Sequence, residues 1–225
     1  MKTRLFSFVL IFFLSAAFAV AQVNTNARTS FAILGGVNFQ NLNGKNFNGD
    51  KLENDLIIGY HAGVNAQIPI APEFYFQPGL MYTTKGAQNT SGPFTGTYNL
   101  SYVEVPLNLV YKALLGKGYF MLGFGPYVAY GIGGKYTGEA GGASLKSDIV
   151  FQNVVEAGDP LTTPYLKALD AGGNIFVGYE MPAGIFLQLN TQLGMLNINP
   201  EYKSITTDNS SLKNTGFGLS LGYRF

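Results

Sequence analysis

From residue 31 onward, apolar residues in this chain recur at every second position. That is the side-chain period of a β-strand and not of a helix. Eight such segments follow one another. They span 31–40, 58–68, 74–85, about 97–111, 119–132, 173–181, 184–196 and 215–225. In the second, Ile58, Tyr60, Ala62, Val64, Ala66 and Ile68 oppose His61, Asn65 and Gln67. In the last, Phe217, Leu219, Leu221, Tyr223 and Phe225 oppose Gly216, Gly218, Ser220, Gly222 and Arg224. The fourth carries Val103, Val105, Leu107 and Leu109 on one face, with Glu104 and Pro106 on the other.

The connections alternate in length. Those at 69–73, 113–118 and 182–183 are short. Those at about 41–57, 86–96, 133–172 and 197–214 are long and polar. An even number of strands with alternating short turns and long loops is the pattern of a bacterial outer-membrane barrel. A soluble up-and-down barrel would put its apolar face inside and charges outside. Here the polar faces are mainly Gly, Ser, Asn and Gln, and the strands end in Phe and Tyr, which suits a filled lumen and interfacial aromatic girdles. The fold expected is all-β: an eight-stranded antiparallel up-and-down transmembrane β-barrel, preceded by a cleaved signal peptide.

Composition sharpens this picture. Charged residues are only 12% of the chain, while glycine reaches 29 residues and tryptophan is absent. Lys2 and Arg4, the apolar run Leu5–Val20 and the Ala19-Val20-Ala21 site mark residues 1–21 as a secretory signal peptide, leaving 22–225 as the barrel domain. Losing those two basic residues takes the formal charge from +1 to −1, which gives no footprint for nucleic acid. With no cysteine in an exported chain, stability is left to packing and barrel closure.

The stretches "GGVNFQNL" (35–42), "GYHAGVNAQIPI" (59–70), "FYFQPGLMYTTKGA" (74–87), "YVEVPLNLVYK" (102–112) and "GFGLSLGYRF" (216–225) resemble the PorT-like outer-membrane β-barrel family, a small-barrel branch of the porin-like superfamily. The resemblance implies an integral protein of the cell outer membrane, with outer-membrane lipid and the barrel-assembly machinery as partners. It implies no particular activity, although one namesake is linked to protein secretion. Tyr223 and the terminal Phe225 look like the aromatic signal read by that machinery, with Ser220 where a glycine is usual.

An eight-stranded barrel is filled by its own side chains, so an open diffusion pore is not expected. The inward ionisable groups are His61, Lys85, Glu104, Glu180 and Arg224, and mutual pairing is expected because buried charges persist only when paired. His61 is the only histidine, and an acylase or deacylase acting on lipid would need a nucleophile beside it. Ser101 is the nearest hydroxyl by strand order, without a supporting motif. No metal site or cofactor is expected, since there is no second His, no Cys and no acid cluster at ligand spacing. The expectation is therefore no enzyme, but a barrel that is structural or binds an extracellular protein or glycan through its loops, notably 133–172. A lipid-modifying enzyme using His61 and an accessory barrel in secretion are the alternatives. Within that loop, "SDIVFQNVVEAG" is read as a short helix or hairpin and "DPLTTPYLKAL" as a helix-like turn. Symmetric turns would set Val105 opposite Pro126 and Pro78 opposite Val105, so that Pro78, Pro106 and Pro126 share one level and mark a bulge or weakened ladder.

Overall fold

The computed structural model describes residues 28–91, 94–160, 162–204 and 209–225. The expected signal peptide lies outside the described residues. Eight long strands form the wall: β1 (Ser30–Lys45), β2 (Ile57–Ala71), β3 (Phe74–Ser91), β4 (Phe94–Leu115), β5 (Gly118–Ala140), β6 (Leu169–Glu180), β7 (Ile185–Gly194) and β8 (Ser211–Arg224). Each pairs antiparallel with the next, and β8 pairs back onto β1 from Ala32↔Arg224 to Lys45↔Ser211, closing the ring. Closure removes the sheet edges that would otherwise expose unpaired backbone to lipid. Among the described residues, no helix is long and apolar enough to cross a membrane.

Most strands are longer than their apolar stretches. β4 has 22 residues and β5 has 23, about twice the roughly 9–11 that a tilted membrane strand needs. The outward face of β4 shows where the membrane ends. Val103, Val105, Leu107, Leu109 and Tyr111 face outward, whereas Ser101, Asn99, Thr97 and Thr95 continue the same face beyond them. Backbone pairing continues past that point with polar side chains, to Phe94↔Ala140. A further strand, Ala143–Asp148, folds back on β5 outside the ring. At the opposite end Gly116 and Gly184 adopt positive φ (65° and 85°) in tight turns.

Inside, the small residues of one strand accept the rings of the next. Phe176 lies over Gly123, where an added Cβ would sit 2.2 Å from a ring carbon, and Phe186 lies over Gly222, where it would sit 2.1 Å away. With Ala32, Val110 and Met121 these rings form a buried cluster at the turn end. The glycine-rich inner faces are thus space for neighbours' rings, and the lumen is packed.

The three prolines lie on adjacent strands, but each seam is displaced by two residues from the symmetric-turn register. Val105 faces Val128 and not Pro126, Pro106 faces Tyr127 and not Gly125, and Pro78 faces Leu107 and not Val105. The cause is turn position: Leu115 pairs with Gly118 and Ser91 with Phe94, so both hairpins reverse one residue later than assumed. No bulge forms at the prolines. The ladder is interrupted, however, between Asn65↔Gly79 and Ile68↔Phe76, between Pro78↔Leu107 and Met81↔Glu104, and between Pro106↔Tyr127 and Leu109↔Phe124, with the same offset on both sides. Each proline keeps a partner on one neighbouring strand (Leu107, Tyr127 and Gly173 respectively) and lacks one on the other. Having no N–H, proline cannot donate to a ladder.

Candidate functional site

Three levels of polar side chains fill the lumen. The outermost centres on Lys85, whose Nζ lies 2.9 Å from Glu104 Oε2 and 3.1 Å from Asp170 Oδ2. The ammonium also sits 4.2 Å from the Tyr127 ring centroid and 5.3 Å from that of Tyr102. Asn214 Nδ2 (2.9 Å) and Tyr127 Oη (3.3 Å) donate to Asp170 Oδ2, and Gln192 Nε2 donates to Glu104 Oε1 at 2.6 Å. All three ionisable groups are buried. Desolvation of such charges costs several kcal/mol each and is offset only by close partners.

The level nearest the short turns centres on Glu180. Lys112 Nζ lies 2.6 Å from its Oε1 and Arg224 Nε 3.0 Å from its Oε2. The Arg224 guanidinium reaches on to Asn65 Oδ1 (3.3 Å) and Gln77 Oε1 (3.4 Å), and Gln77 also accepts from Gln67 Nε2 at 2.8 Å. Two acids hold one cation at the outer level and two cations hold one acid at the inner level, so the formal charges cancel along the lumen.

Between them lies His61. Its Nδ1 is 2.7 Å from Asn38 Oδ1 and its Nε2 is 2.7 Å from Ser220 Oγ. Asn38 Nδ2 donates to Thr83 Oγ1 at 3.0 Å, so Asn38 Oδ1 must accept from His61 Nδ1–H. Nε2 is then the acceptor of the Ser220 hydroxyl proton, and Asn190 Nδ2 donates to Ser220 Oγ at 3.0 Å. Serine, imidazole and amide have the connectivity of a nucleophile, a base and its orienter. Space decides what this arrangement can do. The adjoining cavity is about 80 Å³, and Met81, Glu104 and Gln188 line it with these residues. That holds a few water molecules and no ester-bearing substrate. The hydroxyl and the imidazole are both buried. Asn38, His61 and Ser220 are all enclosed in the packed lumen.

The outer mouth is closed by its connections. Val150–Phe151 pairs in parallel with Tyr165–Leu166, and Val154–Val155 pairs in parallel with Glu201–Tyr202. The first pairing folds the β5–β6 connection on itself, and the second ties it to the β7–β8 connection. Lys167 N donates to Ile198 O at 2.7 Å, and Ile198 N donates to Leu212 O at 2.8 Å. Ile149, Leu166 and Ile198 bury themselves against Leu42, Leu100, Tyr102 and Tyr127 of the wall. On the surface, Lys203 Nζ meets Glu156 Oε1 at 2.7 Å, and the hydrogen bond to that carboxylate raises the ammonium pKa. The described parts of the 133–172 region contain strands, bends and turns but no helix, which corrects the helical readings. Beside this cap lies a cleft of about 910 Å³ between the outer ends of β1, β3, β4, β5 and β8.

The family model for the outer membrane protein β-barrel domain matches residues 20–222. The chain belongs to that family. No curated protein matches it in sequence. Among solved structures it is similar to Ail, the attachment invasion locus protein of Yersinia pestis, with 12% identity over 88% of this chain and 100% of that one (TM-score 0.42). It is likewise similar to Neisserial surface protein A, with 11% identity over 88% of this chain and 100% of that one (TM-score 0.43). In outer-membrane barrels the short turns face the periplasm and the long connections the exterior.

The sequence reading placed His61, Lys85, Glu104, Glu180 and Arg224 inside, and the structure divides them among three levels. Lys85 and Glu104 meet, Glu180 and Arg224 meet, and His61 joins neither pair. Its hydroxyl partner is Ser220 and not Ser101, which bonds Tyr82 Oη at 2.9 Å. Lys112 and Asp170 were missed. Lys112 was legible, since it shares the parity of Glu104 on β4. Asp170 was not, because the loop assigned to 133–172 hid the start of β6 at Leu169. Tyr223 and Phe225 stack at 6.3 Å on the outer face of the last strand. Among the described residues no group of three or more His, Cys, Asp or Glu side chains could hold a metal.

Proposed function

We propose that this family member is a closed barrel whose work is done at its outer end, by binding a partner, with no catalysis in the lumen. The observation that carries this reading is the folded cap. β4 and β5 continue beyond the apolar band, and two connections interlock on them to present an ordered surface with an open cleft. Binding residues placed on such loops, over a rigid scaffold, are how barrels commonly acquire function. Within the family we place the chain in the PorT-like branch, on the stretches quoted above. A role for Tyr223 and Phe225 in recognition by the assembly machinery fits their place at the end of the closing strand.

The test replaces 150–166 with a short Gly-Ser linker and compares pull-downs from intact cells. Capture of an outer partner by the parent and its loss in a variant that still runs as a heat-modifiable folded barrel are expected. Equal capture by both proteins contradicts the proposal.

A second reading, a lipid-acylating or deacylating enzyme, is favoured by one observation, the Asn38–His61–Ser220 relay. The 80 Å³ cavity beside it counts against that reading. An unchanged lipid A mass profile after gene deletion removes it. A secretion accessory role rests on the branch placement alone.

A further inference from the structure

We infer that the outer cleft binds a neutral oligosaccharide, an assignment that rests on the outer end being the binding end. Its volume of about 910 Å³ falls within the roughly 300–1,000 Å³ of small-ligand sites. Aromatic rings line it. Tyr98 and Tyr136 pack with centroids 4.8 Å apart, and Phe47 and Phe94 stand at the rim, 50% and 63% exposed. Gly96 lets the Tyr136 ring lie against the wall, because a Cβ there would meet its hydroxyl at 2.7 Å and a ring carbon at 3.1 Å.

Asn46, Asn54, Asn89 and Asn199 complete the described lining. Asn89 Nδ2 donates to Glu53 O and Asn54 Oδ1, and Asn199 Nδ2 donates to Pro200 O and Ser210 Oγ. Both amide nitrogens are committed inside the protein, which fixes the side chains and leaves their carbonyl oxygens as acceptors. The charged residues among the described lining are Lys45 and Glu139, one of each sign.

This chemistry selects among ligands. A sugar ring offers an apolar C–H face to an aromatic ring and hydroxyl donors at its edge. A sulfated or phosphorylated ligand calls for clustered Arg or Lys, and the cleft has none. An acyl chain would cover the Asn89 and Asn199 carbonyl oxygens without offering them a donor.

The experiment uses the full barrel refolded in a zwitterionic detergent without sugar headgroups. Tyrosine fluorescence, free of tryptophan background in this sequence, is followed while short neutral gluco-, manno-, galacto- and N-acetylglucosamine oligosaccharides are added. Saturable binding of at least one is expected, weakened roughly tenfold by Phe94→Ala or Tyr136→Ala, a loss typical of one aromatic contact. Gly96→Val, which displaces the Tyr136 ring without removing it, should weaken it too. Phe94 is exposed, so its removal leaves the barrel core intact, and heat-modifiability checks each variant. No saturation across the neutral panel overturns the inference, as does saturation only by sulfated oligosaccharides or by acyl amphiphiles, or affinity unchanged in all three variants. If partner capture still depends on 150–166 while neutral saccharides fail, the ligand class is wrong and the binding end stands.

Discussion

Lys85 holds Glu104 at 2.9 Å inside a wall where their side chains are 1% and 4% exposed. Asp170 shares the same ammonium at 3.1 Å. Replacing that cation therefore strands two acids. Lys85→Met should destabilise the barrel by about 3–5 kcal/mol, the cost of breaking a buried ion pair from one side. Urea unfolding in lipid vesicles reads this as a lower midpoint. Adding Glu104→Gln and Asp170→Asn should recover most of the loss, because neutral amides no longer need the cation. A midpoint unchanged by Lys85→Met would show that the cluster contributes nothing to stability.

His61 is expected to act as a filler. His61→Ala leaves Asn38 and Ser220 without their shared partner, at a cost of about 1–3 kcal/mol. A fluorophosphonate probe, which traps activated serines, should leave Ser220 unlabelled in the folded protein. Stoichiometric labelling at Ser220, abolished by His61→Ala, would reinstate the enzyme.

The barrel, its strand order and its inside–outside alternation were legible because one face meets lipid and the other a packed lumen, which forces a period of two. The membrane-embedded half of β4 was read correctly at Val103, Glu104 and Val105. Beyond the membrane that force disappears. Thr95 on β4 and Thr137, Gly138 and Glu139 on β5, outside the strands read at about 97–111 and 119–132, are as loop-like as the connections, and only backbone pairing between the two reveals them as strand. Ion-pair partners across strands depend on shear and turn position, which is why Pro106 was placed two residues off and why Asp170 was hidden.

The interrupted ladder has a measurable consequence. Amides around Ala66, Leu80 and Asn108 should exchange hydrogen faster than those of Val37 and Leu219, which face each other in the unbroken β1–β8 seam. Local opening is easier where ladder bonds are missing. Equal protection at the interrupted and the unbroken positions would mean that the prolines do not weaken the wall.

The cap should be separable from the barrel. Ile198→Asp puts a charge among Leu42, Leu100 and Leu166 and should release the outer connections. Trypsin is then expected to cut at Lys167 and Lys203 while the transmembrane strands stay folded. Loss of the heat-modifiable form instead would make the cap part of the folding core.

The most direct test of a closed lumen working only at its outer face is conductance. Reconstituted into planar bilayers, the folded protein should insert without discrete current steps, since three polar levels and a cap fill its axis. Reproducible ohmic steps from the folded protein would contradict this and make it a channel.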